Sequence, residues 1–239
     1  MALPFFYIEQ TDGSGIVQLN EETSKHVVQV LRMKTDEQLR LTDGKGNLFT
    51  CTIIDDHRKK CVVKIIDTHH TPVPAKKITI AISLLKNNTR LEWFLEKATE
   101  IGVSAIIPII CTRTEKQHFR AERMKGILVS AMLQSQQTWL PELPEPVKFN
   151  TFIESALQSR KFIAHCEDEA NKTELISKID EEVSSQLMLI GPEGDFTKEE
   201  IEGALKLGFI PVSLGNTRLR TETAGMVAAT LLINHSYIK

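Results

Sequence analysis

The sequence predicts an α/β protein: a parallel sheet with helices on both faces, preceded by a small β-barrel. Three observations predict it. Beyond residue 74, short apolar runs alternate with segments of helical periodicity, the pattern of a parallel sheet. Before residue 71 the runs are short, separated by turn signals and interrupted by a single helical segment. Between the two, Thr71-Pro72-Val73-Pro74 sets two prolines within three residues, and neither a helix nor a central strand continues through that. The domain boundary falls there, giving residues 1–72 and 73–239.

In the first domain, Leu39 to Leu41 and Asn47 to Ile54 flank Asp43-Gly44-Lys45-Gly46, a hairpin signature with two residues that tolerate positive φ. Cys61 to Ile66 follows the charged turn Asp55 to Lys60 as a further strand. Thr23 or Ser24 caps the helical segment, in which Val27, Val30 and Leu31 share a face.

In the second domain, Ile78 to Leu85 is a continuous apolar run suited to a strand buried on both faces. Asn88 or Thr89 caps the next helix, where Leu91, Phe94, Leu95, Ala98 and Ile101 keep helical spacing until Gly102. Ala105 to Ile110 is a strand, and Glu122 to Thr138 a helix with Met124, Ile127, Leu128 and Ala131 inward. A loop with Pro141, Pro144 and Pro146 follows. Phe162 to His165, Leu187 to Ile190 and Ile210 to Leu214 complete five expected parallel strands. The helix after the last one, Ala224 to Ile233, is apolar almost all round and is expected to be buried.

Composition narrows the function. With 239 residues, 41% hydrophobic and 25% charged, the chain has the make-up of a soluble globular protein. No apolar run reaches the roughly eighteen residues of a membrane span, and Met1 to Gln10 lacks the form of a signal peptide. The cytoplasm is the expected compartment. Cys51, Cys61, Cys111 and Cys166 are scattered without a C-x-x-C pair, and the histidines do not cluster with them, so free thiols and no metal are expected. His26, His118 and His165 read individually as surface or capping histidines. The net charge of −2 is unevenly spread: Lys+Arg against Asp+Glu stands at 9 and 10 in residues 1–72, 10 and 7 in 73–145, and 10 and 14 in 146–239. A polyanion would therefore favour a patch on the first two segments.

Chemistry concentrates in two loops that each follow a short strand. Gly191-Pro192-Glu193-Gly194-Asp195-Phe196 precedes a capping box made by Thr197 and Glu200. Its glycines allow close backbone approach to a ligand, or simply make a tight strand-to-helix turn. The second loop runs from Gly215 to Ala224 and sets Arg218, Arg220 and Glu222 beside an apolar helix. Arg220 either faces a ligand or pairs locally with Glu222 or Glu193. Neither loop is a G-x-x-x-x-G-K-[ST] phosphate cradle or a G-x-G-x-x-G dinucleotide turn, and this disfavours nucleotide hydrolysis and hydride transfer.

These residues carry a family resemblance. Leu189-Ile190-Gly191-Pro192-Glu193-Gly194, Leu214-Gly215 and Leu219-Arg220-Thr221-Glu222-Thr223-Ala224 resemble the C-terminal motifs of SPOUT-superfamily S-adenosylmethionine-dependent RNA methyltransferases. More narrowly, the chain resembles the bacterial 16S ribosomal RNA uridine-N3-methyltransferases. The similarity extends through Glu96-Lys97-Ala98-Thr99-Glu100-Ile101-Gly102-Val103 and His26-Val27-Val28-Gln29-Val30-Leu31-Arg32. Two departures stand out: Asp195 occupies the usual place of a second glycine, and Leu133 and Gln137 replace an acidic residue and an arginine.

The resemblance implies a SPOUT-type parallel sheet with a C-terminal trefoil knot, a PUA-like barrel at 1–72, and a homodimer with the knot at its interface. It implies that S-adenosylmethionine is held by Leu189, Gly191, Glu193 and Gly194 on one side and by Leu214, Gly215, Leu219, Arg220 and Thr221 on the other. Arg220 is the implied electrostatic catalyst, and Glu222 its orienting partner or the proton acceptor. Arg32, Lys34, Arg90 and Arg113 are the candidate contacts to 16S ribosomal RNA in the small subunit, each equally readable as a solvated cation. Alternative readings are a SPOUT enzyme for another RNA site and a non-catalytic RNA-binding assembly factor.

Overall fold

A computed structural model describes residues 3–11, 13–167, 172–180 and 182–238, the last three without their side chains. The chain divides into two compact units, Met1–Val73 with Met132–Leu140, and Pro74–Ala131 with Pro141–Lys239.

The first unit contains β1 (Phe5–Tyr7), β2 (Ile16–Gln18), helix α1 (Glu21–Lys25), β3 (Gln38–Thr42), β4 (Asn47–Asp55) and β5 (Val62–His70). They form a five-stranded sheet in the order β1-β3-β4-β5-β2, antiparallel except for the β1–β3 pair. The β3–β4 hairpin turns where the sequence places it. Gly44 and Gly46 have φ of 69° and 90°, and the Asp43 carboxylate accepts from Lys45 N and Asn47 Nδ2. Leu39, Leu41, Cys51, Ile53 and Val63 point into one core with Val27.

Residues 132–140 pack with this unit rather than with the chain around them. Trp139 Nε1 donates to the carbonyls of Thr71 and Pro72, and a Cβ on Gly46 would lie 2.6 Å from the Trp139 ring. A side chain at position 46 would push this segment away.

Two local expectations fail for identifiable reasons. Asn20, not Thr23 or Ser24, caps α1, accepting from Thr23 N at 2.8 Å. The helix then widens into a π-turn, His26–Val30, in which Leu31 N reaches back to His26 O. The wider turn breaks the 3.6-residue spacing, so Val27 is buried while Val30 is 67% and Leu31 42% exposed.

In the second unit β6 (Lys77–Ser83), α2 (Asn88–Glu100), β7 (Ala105–Ile110), α3 (Ala121–Gln134), β8 (Val147–Lys148), α4 (Phe149–Ser155), β9 (Arg160–Ala164), β10 (Thr173–Glu174), β11 (Ser185–Ile190), α5 (Lys198–Lys206), β12 (Ile210–Ser213) and α6 (Thr221–Ile238) alternate. The seven strands form one sheet, order β10-β12-β9-β11-β6-β7-β8, with every pairing parallel. The five predicted strands are its centre; two-residue strands too short to carry an apolar pattern extend both ends. Asn87 takes the cap of α2, accepting from Thr89 N. The α3 helix stops at Gln134, short of Thr138, where Gln136 adopts φ 58° and Gln137 N bonds back to Met132 O.

Helix α6 packs against α2, β6 and β11. Gly225 makes this possible, because a Cβ there would lie 2.7 Å from the Phe94 ring. The helix is not buried all round: Ala228, Ala229 and Leu232 are, whereas Met226, Val227 and Leu231 are only half-buried. Among the described residues, no helix is long and apolar enough to cross a membrane and no His/Cys/Asp/Glu group is set to hold a metal. The four cysteines are free. Burial pushes the thiols of Cys51 and Cys61 up to about 12 and about 11, with Asp55 and Asp56 adding to the second, and raises Cys111 as well.

Candidate functional site

Strands β12, β9 and β11 are neighbours and parallel, so their carboxyl ends, at Ser213, Ala164 and Ile190, reach the same sheet edge. Ligands of open α/β sheets bind beyond such an edge. A cavity of about 1230 Å³ opens there, walled by residues 164–167, 190–195 and 212–221 with Arg90, Arg113, Lys172 and Ala224. It exceeds the roughly 300–1,000 Å³ of ordinary small-molecule pockets. There is room for a nucleoside-sized ligand together with part of a second reactant.

The wall after β11 is fixed by side chains. Pro192 to Asp195 is a tight turn closed by Asp195 N on Pro192 O. Asp195 adopts φ 63°, where glycine is at ease and aspartate is tolerated. Its Oδ1 accepts from Phe196 N at 2.8 Å, and its Oδ2 from Cys166 N, in the loop after β9, at 2.7 Å. Arg113 Nη1 donates to Gly194 O at 2.7 Å and Phe196 O at 3.2 Å. Behind the turn the buried Glu200 accepts from Thr112 N, Thr112 Oγ1 and Thr197 N, completing the predicted capping box. Gly191 proves to serve packing: a Cβ there would lie 3.1 Å from the fully buried Phe196 ring.

The wall after β12 is held differently. Ser213 Oγ and Gly215 bond each other locally, and Gly215 sits at φ 131° with nothing within 4 Å of a Cβ. Residues 215–218 and Arg220 are exposed. Arg220 O accepts the first bond of α6, from Ala224 N. The unpaired amides of that first helical turn add positive potential at the edge.

Of the two expectations for Arg220, the local pairing with Glu193 or Glu222 does not form among the described residues. Arg90 takes both carboxylates instead: its Nη1 donates to Glu193 Oε1 at 3.0 Å, and its Nε lies 3.6 Å from Glu222 Oε1. Glu222 is 7% exposed, and its Oε2 has no hydrogen-bond partner among the described residues. Neither Arg218 nor Arg220 enters an ion pair or side-chain hydrogen bond among them.

Of the predicted cofactor residues, Gly191, Glu193, Gly194, Leu214, Gly215, Leu219, Arg220 and Thr221 line the cavity. Leu189 does not; it is fully buried within β11, and Ile190 takes its place. Glu222 lies off the lining. Arg90 and Arg113 do line it, with donors committed to the first loop. Arg32 and Lys34 belong to the first unit: Arg32 is exposed with φ 59°, and Lys34 Nζ lies 3.6 Å from Asp56. Leu133 and Gln137 are half-buried near the end of α3, with Gln137 Nε2 donating to Ser135 Oγ.

Sequence reasoning missed His165 and Cys166 as wall residues, and placed Asp195 in the first loop without a role. The signal was available for the first two: Phe162 to His165 reads as a strand parallel to the other two, so the residues after it had to reach the same edge. Cys166 is exposed; burial and the Asp195 charge push its thiol up, while Arg218 and Lys172 pull it down.

A family model described as RNA methyltransferase domain matches residues 71–233, and one described as RNA methyltransferase PUA domain matches residues 19–66. A solved structure of a probable rRNA-methyltransferase from Porphyromonas gingivalis is 38% identical, with a TM-score of 0.90 over 99% of both chains. Ribosomal RNA small subunit methyltransferase E from Neisseria gonorrhoeae, solved with S-adenosylmethionine bound, is 28% identical, with a TM-score of 0.83 over 96% of this chain and 97% of that one. The relative of that name from Aquifex aeolicus is 28% identical over 96% of this chain and 98% of its own length.

Proposed function

The chain belongs to the RNA methyltransferase family, and on that premise we propose that it methylates N3 of one uridine in the 16S ribosomal RNA of the small ribosomal subunit, using S-adenosylmethionine. The observation that carries the reading is the meeting of the two motif loops, 191–194 and 214–221, in one cavity.

The residues present suit that cofactor. Apolar Ile190, Val212, Leu214 and Leu219 offer surface for an adenine ring, and the open space at Gly215 admits close backbone approach. Glu193 places a carboxylate on the same wall. Gly191, Gly194, Gly215 and Thr221 would hold the cofactor mainly through backbone groups. When bound, S-adenosylmethionine supplies an electrophilic methyl group.

Uridine N3 is a poor nucleophile until its proton passes to solvent at the exposed rim of the cavity, and the negative charge left behind spreads onto the uracil oxygens. Arg220, exposed, unpaired and lining the cavity, stabilises that charge as a fixed cation with several donors. Glu222 holds Arg90, and Arg90 holds Glu193, so this pair positions the wall rather than touching the uracil. Arg32 and Lys34 on the first unit contact RNA phosphates.

The finer architecture belongs to the same proposal. The chain leaves β12 on the far side of β9, yet α6 packs on α2, β6 and β11, so it has to cross the carboxyl ends of β9 and β11. That return path supports a trefoil knot. Half-buried Met226, Val227 and Leu231 on α6 support a homodimer built on this helix.

The test is methyl transfer to small ribosomal subunits and to free 16S RNA, read by reverse transcription. N3 methylation blocks Watson–Crick pairing, so one new stop opposite a uridine is expected. A methylated product without a stop, or a stop opposite another base, would defeat the assignment.

A further inference from the structure

Asp195 has two features that call for a common explanation. It is a non-glycine residue at φ 63°, a conformation that an L side chain disfavours. Its carboxylate also accepts two backbone amides from different parts of the chain, Phe196 N at 2.8 Å and Cys166 N at 2.7 Å. The first bond closes the turn after β11; the second reaches across to the loop after β9. Ala164 to Glu167 and Ile190 to Asp195 follow the neighbouring strands β9 and β11, and both stretches line the cavity. A glycine at position 195 would suit the backbone better and would leave the two stretches without this tie.

Each bond is short and made to a carboxylate, the stronger class of hydrogen bond. Without the acceptor, the amides of Cys166 and Phe196 have to find water, and the loop after β9 loses its tie to the turn after β11, which Arg113 and Glu200 still hold in place. A wall held in its binding geometry beforehand need not be ordered when the ligand arrives, and this favours affinity.

We infer that Asp195 is a positioning residue: by tying Cys166 to the turn after β11 it fixes the spacing of two cavity walls and preorganises the cofactor site. The inference rests on reading the cavity as the S-adenosylmethionine site. It concerns cofactor affinity, with Arg220 left to the chemistry.

The experiment compares wild type, Asp195→Gly and Asp195→Asn in the full-length protein. Calorimetric titration with S-adenosylmethionine, thermal midpoint and amide exchange at Cys166 are measured for each. For Asp195→Gly the dissociation constant is expected to rise about tenfold, while the thermal midpoint falls only modestly, because relief of the positive φ offsets part of the two lost bonds. Exchange at the Cys166 amide should quicken in the same variant. Asp195→Asn keeps tolerance of the left-handed region and one acceptor oxygen, so it should fall between. KM for S-adenosylmethionine should follow the dissociation constant, with kcat at saturation within about twofold.

Wild-type affinity in Asp195→Gly, or unchanged exchange at Cys166, would overturn the inference. So would a fall of affinity accompanied by quickened amide exchange throughout the second unit rather than at Cys166 and its loop, the mark of general loosening. A wild-type protein that binds no S-adenosylmethionine defeats the functional reading instead, and the Cys166 exchange still judges the tie.

Discussion

The two loops that meet at the cavity are built on opposite principles. The loop after β11 is held at almost every residue: Arg113 binds its carbonyls, Asp195 ties it to Cys166, and Glu200 anchors its end. The loop after β12 carries two arginines, and among the described residues neither has a side-chain partner. On the proposed mechanism, the wall that has to keep a fixed shape is cross-braced, while the group that would meet charge appearing on the uracil is left unneutralised. Arg90 shows how the division is kept, since by taking Glu193 and Glu222 it leaves Arg220 without a competing anion.

The largest expected effect tests the unneutralised side. Arg220→Ala should lower methyl-transfer turnover by about 10²–10³, with cofactor affinity within about threefold and the thermal midpoint unchanged, because an exposed side chain without partners contributes little to folding. Arg220→Lys keeps the charge but loses the planar fork, so it should recover only part of the rate. Near-normal turnover in Arg220→Ala would end the contrast between the loops.

Next in size is a break in the bracing. Glu200→Ala removes three accepted hydrogen bonds and the capping box. Loss of about 2–4 kcal/mol of unfolding free energy is expected in urea titration, with turnover per folded molecule falling less than in Arg220→Ala. A loss below about 0.5 kcal/mol would mean that the loop does not depend on its brace.

A paired glycine test sharpens the difference. Gly191→Ala sets a methyl 3.1 Å from the Phe196 ring and should cost about 1–3 kcal/mol through overpacking. Gly215→Ala meets open space and suffers only from its φ of 131°, at about 1–2 kcal/mol. Cofactor affinity should respond more to Gly215→Ala than its stability does, since Gly215 lines the cavity and the added methyl meets no protein atom. The opposite ranking, with affinity falling only in Gly191→Ala, would place the ligand against the wrong wall.

These distinctions also mark how far the sequence can be read. Periodicity locates the five central strands and both loops, because each run is a short apolar stretch and the two that precede the loops end at Gly191 and Gly215. It cannot locate the two-residue strands at the sheet ends, or the π-turn at His26–Val30, where one extra residue per turn moves Val30 into solvent. The partners of Arg90 lie 103 and 132 positions away, a separation that no local pattern encodes. Asp195 reads as a departure from a glycine pattern, whereas its reason depends on Cys166, brought beside it by the β9–β11 pairing.

The smallest expected effect uses Cys166 as a gauge placed between the two loops. Burial raises its thiol first, then the Asp195 charge from the braced loop; Arg218 from the other loop lowers it. Only the thiolate is alkylated, so a higher pKa means slower reaction at fixed pH. Arg218→Ala removes a lowering charge and should slow iodoacetamide modification of Cys166 at pH 8. Asp195→Asn removes a raising charge and should quicken it. The other three cysteines are buried, and burial raises each thiol, so in the folded protein they should react far more slowly and leave the signal clean. Opposite changes in the two variants would show that both walls act on one point at the cavity rim. Changes of the same sign would mean that the variants altered access to Cys166 rather than the charge around it.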